Sequence, residues 1–436
     1  MSLTTPEKVR TLQRKLYALA KEKPTQRFHQ LYDKVYREDI LDHAYRLCRS
    51  NGGAPGVDGM TFEAIETAGL EEWLKRLTQD LHDKTYVPAP VRRVMIPKAG
   101  GGERPLGIPT IRDRVAQTAA KLVLEPIFEA DFEASAHGYR PGRSAQGAVG
   151  EVQGALNAGY TDVVDADLSK YFDTIPHHEL MQAVARRVSD RYMLALVKAW
   201  LKVPAEERDG RGNRRMSGGK GSTMGTPQGG VISPLLANIY MNRFLRAWRE
   251  RGKGEQFRAR IVNYADDFVI LSRGHATEAL EWTRWAMGRL GLTLNEVKTC
   301  IRDARREHFR FLGYSFGPER FRKDGHWYLA AKPSEKAVSR VKERVSGILH
   351  PGNHAPWPEV RDQLNRVLRG WAWYFSRGTL LMAYRAIDNH VLDRVRYFQR
   401  RRKKMRGQAR VRFGSDVVFG ELGVVRLRAL HLKAAP

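Results

Sequence analysis

Residues 261–271 read Ile261-Val262-Asn263-Tyr264-Ala265-Asp266-Asp267-Phe268-Val269-Ile270-Leu271, two apolar runs separated by a short turn that carries adjacent acids. The runs have strand composition, so the segment reads as a β-hairpin with Asp266 and Asp267 at its tip. Asp is common in turns, and a polar tip alone would need no further explanation. Two neighbouring carboxylates on an apolar ribbon, however, repel one another and lose hydration, and a divalent cation relieves both penalties. Oxygen donors of this kind suit Mg2+, and also Mn2+.

A second acidic segment lies upstream. In Asp162-Val163-Val164-Asp165-Ala166-Asp167-Leu168 the side chains alternate, with Val164, Ala166 and Leu168 on one face and Asp165 and Asp167 on the other. A half-buried strand ending at Asp167 is the expectation. It runs into Lys170-Tyr171-Phe172-Asp173 and then Pro176-His177-His178-Glu179, the polar start of a helix. Asp167, at the strand end, is the candidate partner of Asp266 and Asp267, while Asp165 reads as a supporting or surface carboxylate. Acids from neighbouring strands that hold two metals about 4 Å apart lower the pKa of an attacking hydroxyl and stabilise a leaving pyrophosphate. That is polymerase chemistry.

Composition bounds the partner. Seventy-five Lys and Arg against 48 Asp and Glu leave a formal charge of +27, the electrostatic footprint of a polyanion binder. With 436 residues, 42% of them hydrophobic, the chain can bury a large core over two or three domains. No apolar run reaches the length of a membrane span, and Met1-Ser2-Leu3-Thr4-Thr5-Pro6-Glu7 lacks a signal-peptide core. Cys48 and Cys300 are the only cysteines, too few for a zinc cluster or a disulfide framework, which fits a reducing cytoplasm.

The first fifty residues carry Leu12, Leu16 and Leu19, then Leu31, Val35, Tyr36, Ile40, Leu41 and Leu47, at helical spacings. A strand follows over Val91–Lys98, then Gly100-Gly101-Gly102-Glu103-Arg104, then strand-like Ile108 before a helix capped by Thr110 with Asp113. Lys98 and Arg104 therefore bracket a glycine turn of a β-ribbon, where a point charge and a bidentate fork can wrap a triphosphate. An ordinary hairpin with solvated basic residues is the plainer alternative. Gly225-Thr226-Pro227-Gln228-Gly229-Gly230 is a second glycine-dense loop, leading to Ser233 as an N-cap and Pro234 at the first helical position. Gln228 on that loop could sit under a sugar or base without adding charge; close packing of the loop is the competing explanation.

Taken in order, these segments resemble the sequence blocks of a group II intron-encoded reverse transcriptase/maturase. The resemblance rests on Lys98 and Arg104, Gly138-Tyr139-Arg140-Pro141-Gly142-Arg143-Ser144, Asp167 with Phe172, the Gly225–Gly230 loop, and Tyr264-Ala265-Asp266-Asp267. Gly291-Leu292-Thr293-Leu294-Asn295 with Lys298, and Phe311-Leu312-Gly313-Tyr314, complete it. It implies an α+β right-hand polymerase, fingers and palm with an antiparallel palm sheet, followed by an α-helical thumb/maturase domain. It implies Asp167, Asp266 and Asp267 as catalytic carboxylates and, with Leu168, as the metal site for two Mg2+ ions. The nucleotide site implied is Lys98, Arg104, Phe172, Gln228 and Lys298, with Phe172 against the sugar 2′ carbon to exclude ribonucleotides. Core packing would also account for the Phe172 ring. Arg140, Arg143 and Gly313 are implied nucleic-acid contacts, Gly313 in a primer-holding hairpin.

Beyond about residue 330 the pattern becomes helical. Val338, Val341, Val345 and Ile348 mark one helix, Val360, Leu364, Val367 and Trp371 a second, and Tyr384, Ile387, Val391, Val395 and Phe398 a third. Gly370-Trp371-Ala372-Trp373-Tyr374-Phe375 resembles the maturase signature, and its aromatic cluster reads as core, because Trp371 and Phe375 lie one turn apart. The run Arg400-Arg401-Arg402-Lys403-Lys404-Met405-Arg406 is dense enough to neutralise several phosphates.

The expected boundaries are an N-terminal extension and start of the fingers over 1–90, fingers and palm over 91–315, thumb/maturase over 316–408, and a short basic C-terminal appendage over 409–436, a candidate DNA-binding segment. No Cys-pair and His-rich endonuclease module occurs before Pro436, so a primer from elsewhere, such as a replication fork, is expected. The expected partners are group II intron RNA, a DNA target and primer, and deoxynucleoside triphosphates, in a bacterial, nucleoid-associated cytoplasmic setting with no membrane. A non-catalytic RNA-folding cofactor of the same fold, or a reverse transcriptase recruited to phage defence or CRISPR adaptation, would share much of this pattern. The three intact acids argue against the first and the maturase-like helices against the second.

Overall fold

The computed structural model describes residues 3–97, 102–208, 213–321, 324–403 and 412–433 of the 436-residue chain. The chain folds as two compact units that interleave in sequence: Met1–Pro141 with Asp167–Lys253 and Glu281–Asn295, and Gly142–Ala166 with Gly254–Leu280 and Glu296–Pro436. In chain order the strands are β1 (Val91–Pro97), β2 (Glu103–Ile108), β3 (Asp162–Asp167), β4 (Pro204–Arg208), β5 (Arg214–Gly218), β6 (Ala259–Tyr264), β7 (Asp267–Ser272), β8 (Cys300–Asp303), β9 (Phe309–Phe311), β10 (Tyr314–Arg320) and β11 (Trp327–Pro333).

In the first unit the expected ribbon is present: β1 and β2 pair antiparallel with Ile96 opposite Arg104. It belongs to a four-stranded sheet of order β2-β1-β4-β5, in which β1 and β4 run parallel. The Ile111–Glu129 helix follows, and the Glu7–Glu22 and Glu38–Asn51 helices pack against it. Its start is a reciprocal cap: Thr110 Oγ1 accepts from Asp113 N–H at 3.1 Å and donates to the Asp113 carboxylate at 2.8 Å. Asp113 also accepts from Tyr86 Oη at 2.6 Å and Ala89 N–H at 3.1 Å, and burial raises its carboxyl pKa. In the Glu7–Glu22 helix Leu16 is buried together with Val9 and Ala20, while Leu12 and Leu19 are half-buried. Ser233 is the first residue of its helix instead of the cap, and its hydroxyl donates to the Pro227 carbonyl at 2.8 Å.

The second unit holds a sheet of order β6-β7-β3-β8 and a three-stranded sheet of order β11-β10-β9. One core joins Val149 and Val152 of the Ala145–Asn157 helix to Val163 of β3, Val262 of β6, Val269 of β7 and Phe309 and Phe316 of the smaller sheet. A second core is the expected three-helix group, Glu335–Ile348, Trp357–Tyr374 and Leu381–Arg402. Leu368 takes the fully buried position where Val367 was expected, and Val367 packs at the margin.

The expected bound at 315/316, close to the end of the fingers-and-palm segment, falls inside β10, which pairs with both β9 and β11. The described residues after 409 pack into the helical core instead of standing apart as an appendage. Phe413, Val418, Val424 and Leu427 are buried in the same core as the three helices. Asp388, 1% exposed, accepts from the backbone N–H of Leu427 at 2.8 Å and of Arg428 at 3.2 Å and from Arg428 Nε at 3.0 Å, capping the final helix from within.

Candidate active site

The acidic hairpin forms as expected. β6 and β7 pair with Tyr264 opposite Asp267, leaving Ala265 and Asp266 as a two-residue tip. Ala265 has φ +60°, the left-handed region that a hairpin's first tip residue normally fills with glycine. Asn263, 1% exposed, braces this tip: Nδ2 donates to the Ala265 carbonyl at 2.8 Å and reaches the Asp267 carbonyl at 3.4 Å. Asp266 and Asp267 are exposed and Tyr264 is half-buried. Nearby, burial is the main cause that pushes the Tyr374 phenol up to about 12, with Tyr264, Tyr314 and Asp267 adding to it.

Tyr374 Oη donates to the Leu312 carbonyl at 3.0 Å. Leu312 and Gly313 form the tip between β9 and β10, both with positive φ, +50° and +79°, as a two-residue hairpin of this twist requires. Gly313 is exposed, and a Cβ there would approach the Phe375 ring at 3.3 Å. Trp371 packs against Phe375 at 4.7 Å between ring centroids, the rings tilted by 37°, which supports the core assignment for both. Trp373 differs: it is 74% exposed.

Asp167 ends β3, half-buried, and β3 lies between β7 and β8 in the sheet. Val164 and Ala166 are buried as expected, but so is Val163, so the strand is covered on both faces. Asp165 sits opposite Cys300 of β8. The Asp167 carbonyl accepts from Asn295 N–H at 2.7 Å and Ser169 N–H donates to the Thr293 carbonyl at 2.9 Å, which gives the Gly291–Asn295 motif a structural task. Leu168 is 5% exposed and opposite Leu294; its apolar side chain cannot bind an ion, so any metal contact there runs through its carbonyl. Lys298 is exposed. Among the described residues no three His, Cys, Asp or Glu side chains are gathered into a group that would hold a metal. Carboxylate oxygens are the donor type that Mg2+ takes, so the chemistry of Asp167, Asp266 and Asp267 suits that ion.

Around Gln228 the backbone does most of the assembly. The Gln228 carbonyl accepts from Gly107 N–H of β2 at 2.6 Å, and Thr226 N–H donates to the Phe172 carbonyl at 2.6 Å. The loop is thus stitched on one side to the strand that carries Arg104 and on the other to the Tyr171–Thr174 turn that carries Phe172. Gly229 has φ +107°, and a Cβ there would stand 2.3 Å from the Gly107 carbonyl oxygen. The Gln228 amide is not idle: Nε2 donates to Asp173 Oδ1 at 3.0 Å. Asp173 was legible only as an acid directly after Phe172. Arg104 is exposed and the Phe172 ring half-buried; Lys98 lies outside the described residues.

The candidate nucleic-acid contacts divide. Arg140 is committed inside the protein, its side chain 4% exposed, bonded to Glu129 at 2.7 Å and to the carbonyls of Glu133 at 2.6 Å and Ala136 at 2.8 Å. It stabilises a turn and does not present itself to nucleic acid, contrary to the sequence reading. Arg143 is exposed, 3.9 Å from Glu151. Arg400, Arg401, Arg402 and Lys403 are exposed at the C-terminal end of the Leu381–Arg402 helix, where cations also complement the helix dipole. Arg401 donates to Tyr397 Oη at 3.0 Å and Arg402 to the Ala355 carbonyl at 2.8 Å; Lys404 and Arg406 lie outside the described residues.

Residues 96–316 match the model of the reverse transcriptase (RNA-dependent DNA polymerase) family, and residues 338–414 match the group II intron maturase-specific domain. The chain belongs to the reverse transcriptase family. YkfC of Escherichia coli is 36% identical over 75% of this chain and 93% of its own length. The group II intron-encoded protein LtrA of Lactococcus lactis is 30% identical over 73% of this chain, which spans only 60% of LtrA. Among solved structures, telomerase from Candida albicans with a telomeric RNA fragment gives a TM-score of 0.43 at 12% identity, over 76% of this chain and 64% of that one, too faint to bear on function. The protein is an RNA-directed DNA polymerase joined to a maturase domain of the kind that assists group II intron splicing. Among the described residues no helix is long and apolar enough to cross a membrane.

Proposed function

We propose that this enzyme binds its own group II intron RNA, assists that intron's splicing, and copies the RNA by extending a primer at a DNA target. What supports the catalytic assignment is the acidic hairpin tip together with the match of residues 96–316 to the reverse transcriptase family, and β3, which ends in Asp167, is a neighbour of β7 in the sheet. Asp167, Asp266 and Asp267 are then the carboxylates that hold Mg2+, with the Leu168 carbonyl as a neutral fourth donor. Bound there, the ions lower the pKa of the primer 3′ hydroxyl and neutralise the leaving pyrophosphate.

The remaining tasks fall to the chain's own side chains. Arg104, on the β1–β2 ribbon, and Lys98 flank the triphosphate, Lys298 adds charge, and Gln228, oriented by Asp173, supports the deoxynucleotide. Phe172 stands against the sugar, where a 2′-hydroxyl would collide with the ring. β1–β2 corresponds to the fingers, β6-β7-β3-β8 to the palm, and the helices from Glu335 to Arg402 to the thumb, which grips intron RNA with the help of Arg143, Gly313 and the basic run from Arg400. Asp266→Asn should abolish primer extension on an RNA template and leave RNA retention on a filter intact. Extension at the parent rate would remove the metal assignment.

A further inference from the structure

We infer that Asn263 is the positioning residue of the acidic pair: its buried amide fixes the turn that aims Asp266 and Asp267 at a shared divalent cation. The inference rests on the proposed reading of those two acids as metal ligands.

Asn263 lies on β6 opposite Phe268, 1% exposed, directly after buried Ile261 and Val262. An amide in such surroundings is destabilising unless its polar atoms are bonded. Its Nδ2 turns to the hairpin tip, 2.8 Å from the Ala265 carbonyl and 3.4 Å from the Asp267 carbonyl. Those two carbonyls flank the Asp266-Asp267 pair, one just before the first acid and one just after the second, so one side chain restrains the backbone at both ends of the pair.

The restraint matters because the tip is strained. Ala265 holds φ +60° with a Cβ present, a conformation a two-residue turn would leave if nothing opposed it. Rotation of the peptides beside Asp266 would swing the Cα–Cβ bond of one acid away from that of the other. Two carboxylates that repel each other favour such a departure. The Asn263 donor opposes it by bonding the Ala265 carbonyl, which belongs to the peptide leading into Asp266, and by holding the Asp267 carbonyl beyond the pair. A residue of similar bulk without a donor would fill the same space and leave the tip free.

The test uses the full chain and Mn2+ alone, titrated while the free-ion signal is read by electron paramagnetic resonance, with thermal melting to count folded protein. Asn263→Ala should weaken Mn2+ binding by about tenfold, the equivalent of one good hydrogen bond. Asn263→Ser, whose short hydroxyl cannot span both carbonyls, should fall in the same direction and serves if the alanine variant does not fold. The double variant Asp266→Asn, Asp267→Asn separates the two readings. If it loses Mn2+ while the Asn263 variants bind as the parent does, Asn263 only stabilises the fold and the inference is overturned. If the double variant itself binds Mn2+ like the parent, the ligand reading fails and takes the inference with it.

Discussion

Replacing Gly229 by alanine probes whether the Gln228 loop holds the nucleotide. The backbone stands at φ +107°, and an added Cβ would lie 2.3 Å from the Gly107 carbonyl oxygen and 3.0 Å from Leu106 Cδ1. A side chain in this region of φ costs about 1–3 kcal/mol. The overlap with a strand carbonyl cannot be relieved by a rotamer change, so the loop must move. The bond that yields is Gly107 N–H to the Gln228 carbonyl, 2.6 Å, adding about 1 kcal/mol. A displacement of about 2–4 kcal/mol confined to the loop corresponds to a rise of thirtyfold or more in the KM for deoxynucleotides. Gly219→Ala is the control, because it has φ +100° but meets nothing closer than Pro204 Cβ at 3.6 Å. Steady-state primer extension on an RNA template measures both variants. A KM for Gly229→Ala no higher than for Gly219→Ala would refute the reasoning.

Phe172→Ala should increase ribonucleotide incorporation, read by alkaline cleavage of the product; unchanged sugar selectivity would return the ring to a packing role. Replacing Arg400, Arg401, Arg402, Lys403 and Lys404 by Gln should flatten the salt dependence of RNA affinity by up to about one unit of slope for each phosphate no longer neutralised. Because Arg402 is turned to the Ala355 carbonyl, its single substitution should change that slope least. Asp388→Ala should lower stability by about 2–4 kcal/mol, since it leaves the N–H groups of Leu427 and Arg428 and the Arg428 guanidinium without their buried acceptor. Denaturant melting checks this, and a decrease below about 1 kcal/mol would mean the C-terminal segment is only loosely held.

Period and punctuation carried much of the architecture. Apolar runs around Asp266 and Asp267, alternation through Asp167, and helical stripes beyond residue 330 are local signals, and each became the expected element. Local signals cannot say which of two apolar stripes meets a neighbour. Hence in the first helix Ala20 is fully buried while its neighbour Leu19 is only half-buried, and in the second helix of the C-terminal group Leu368 is buried where Val367 was expected.

The acidic doublet, the charge of +27 and the order of motifs were decided by the sequence itself, because they are properties of neighbouring residues and of totals. Arg140 shows the opposite case. The resemblance implied a nucleic-acid contact, but the Glu129 carboxylate and two carbonyls already occupy it, and nothing in the string announces a partner eleven residues away. Asn263 likewise reads as one polar residue in an apolar strand until the fold turns its amide onto the tip. Asp388, which holds the distant backbone of Leu427, could not be foreseen at all. The physical reason is common to the three: a hydrogen-bonding side chain has no intrinsic partner, and only tertiary packing decides whether its donors and acceptors face water, a ligand or the protein's own backbone.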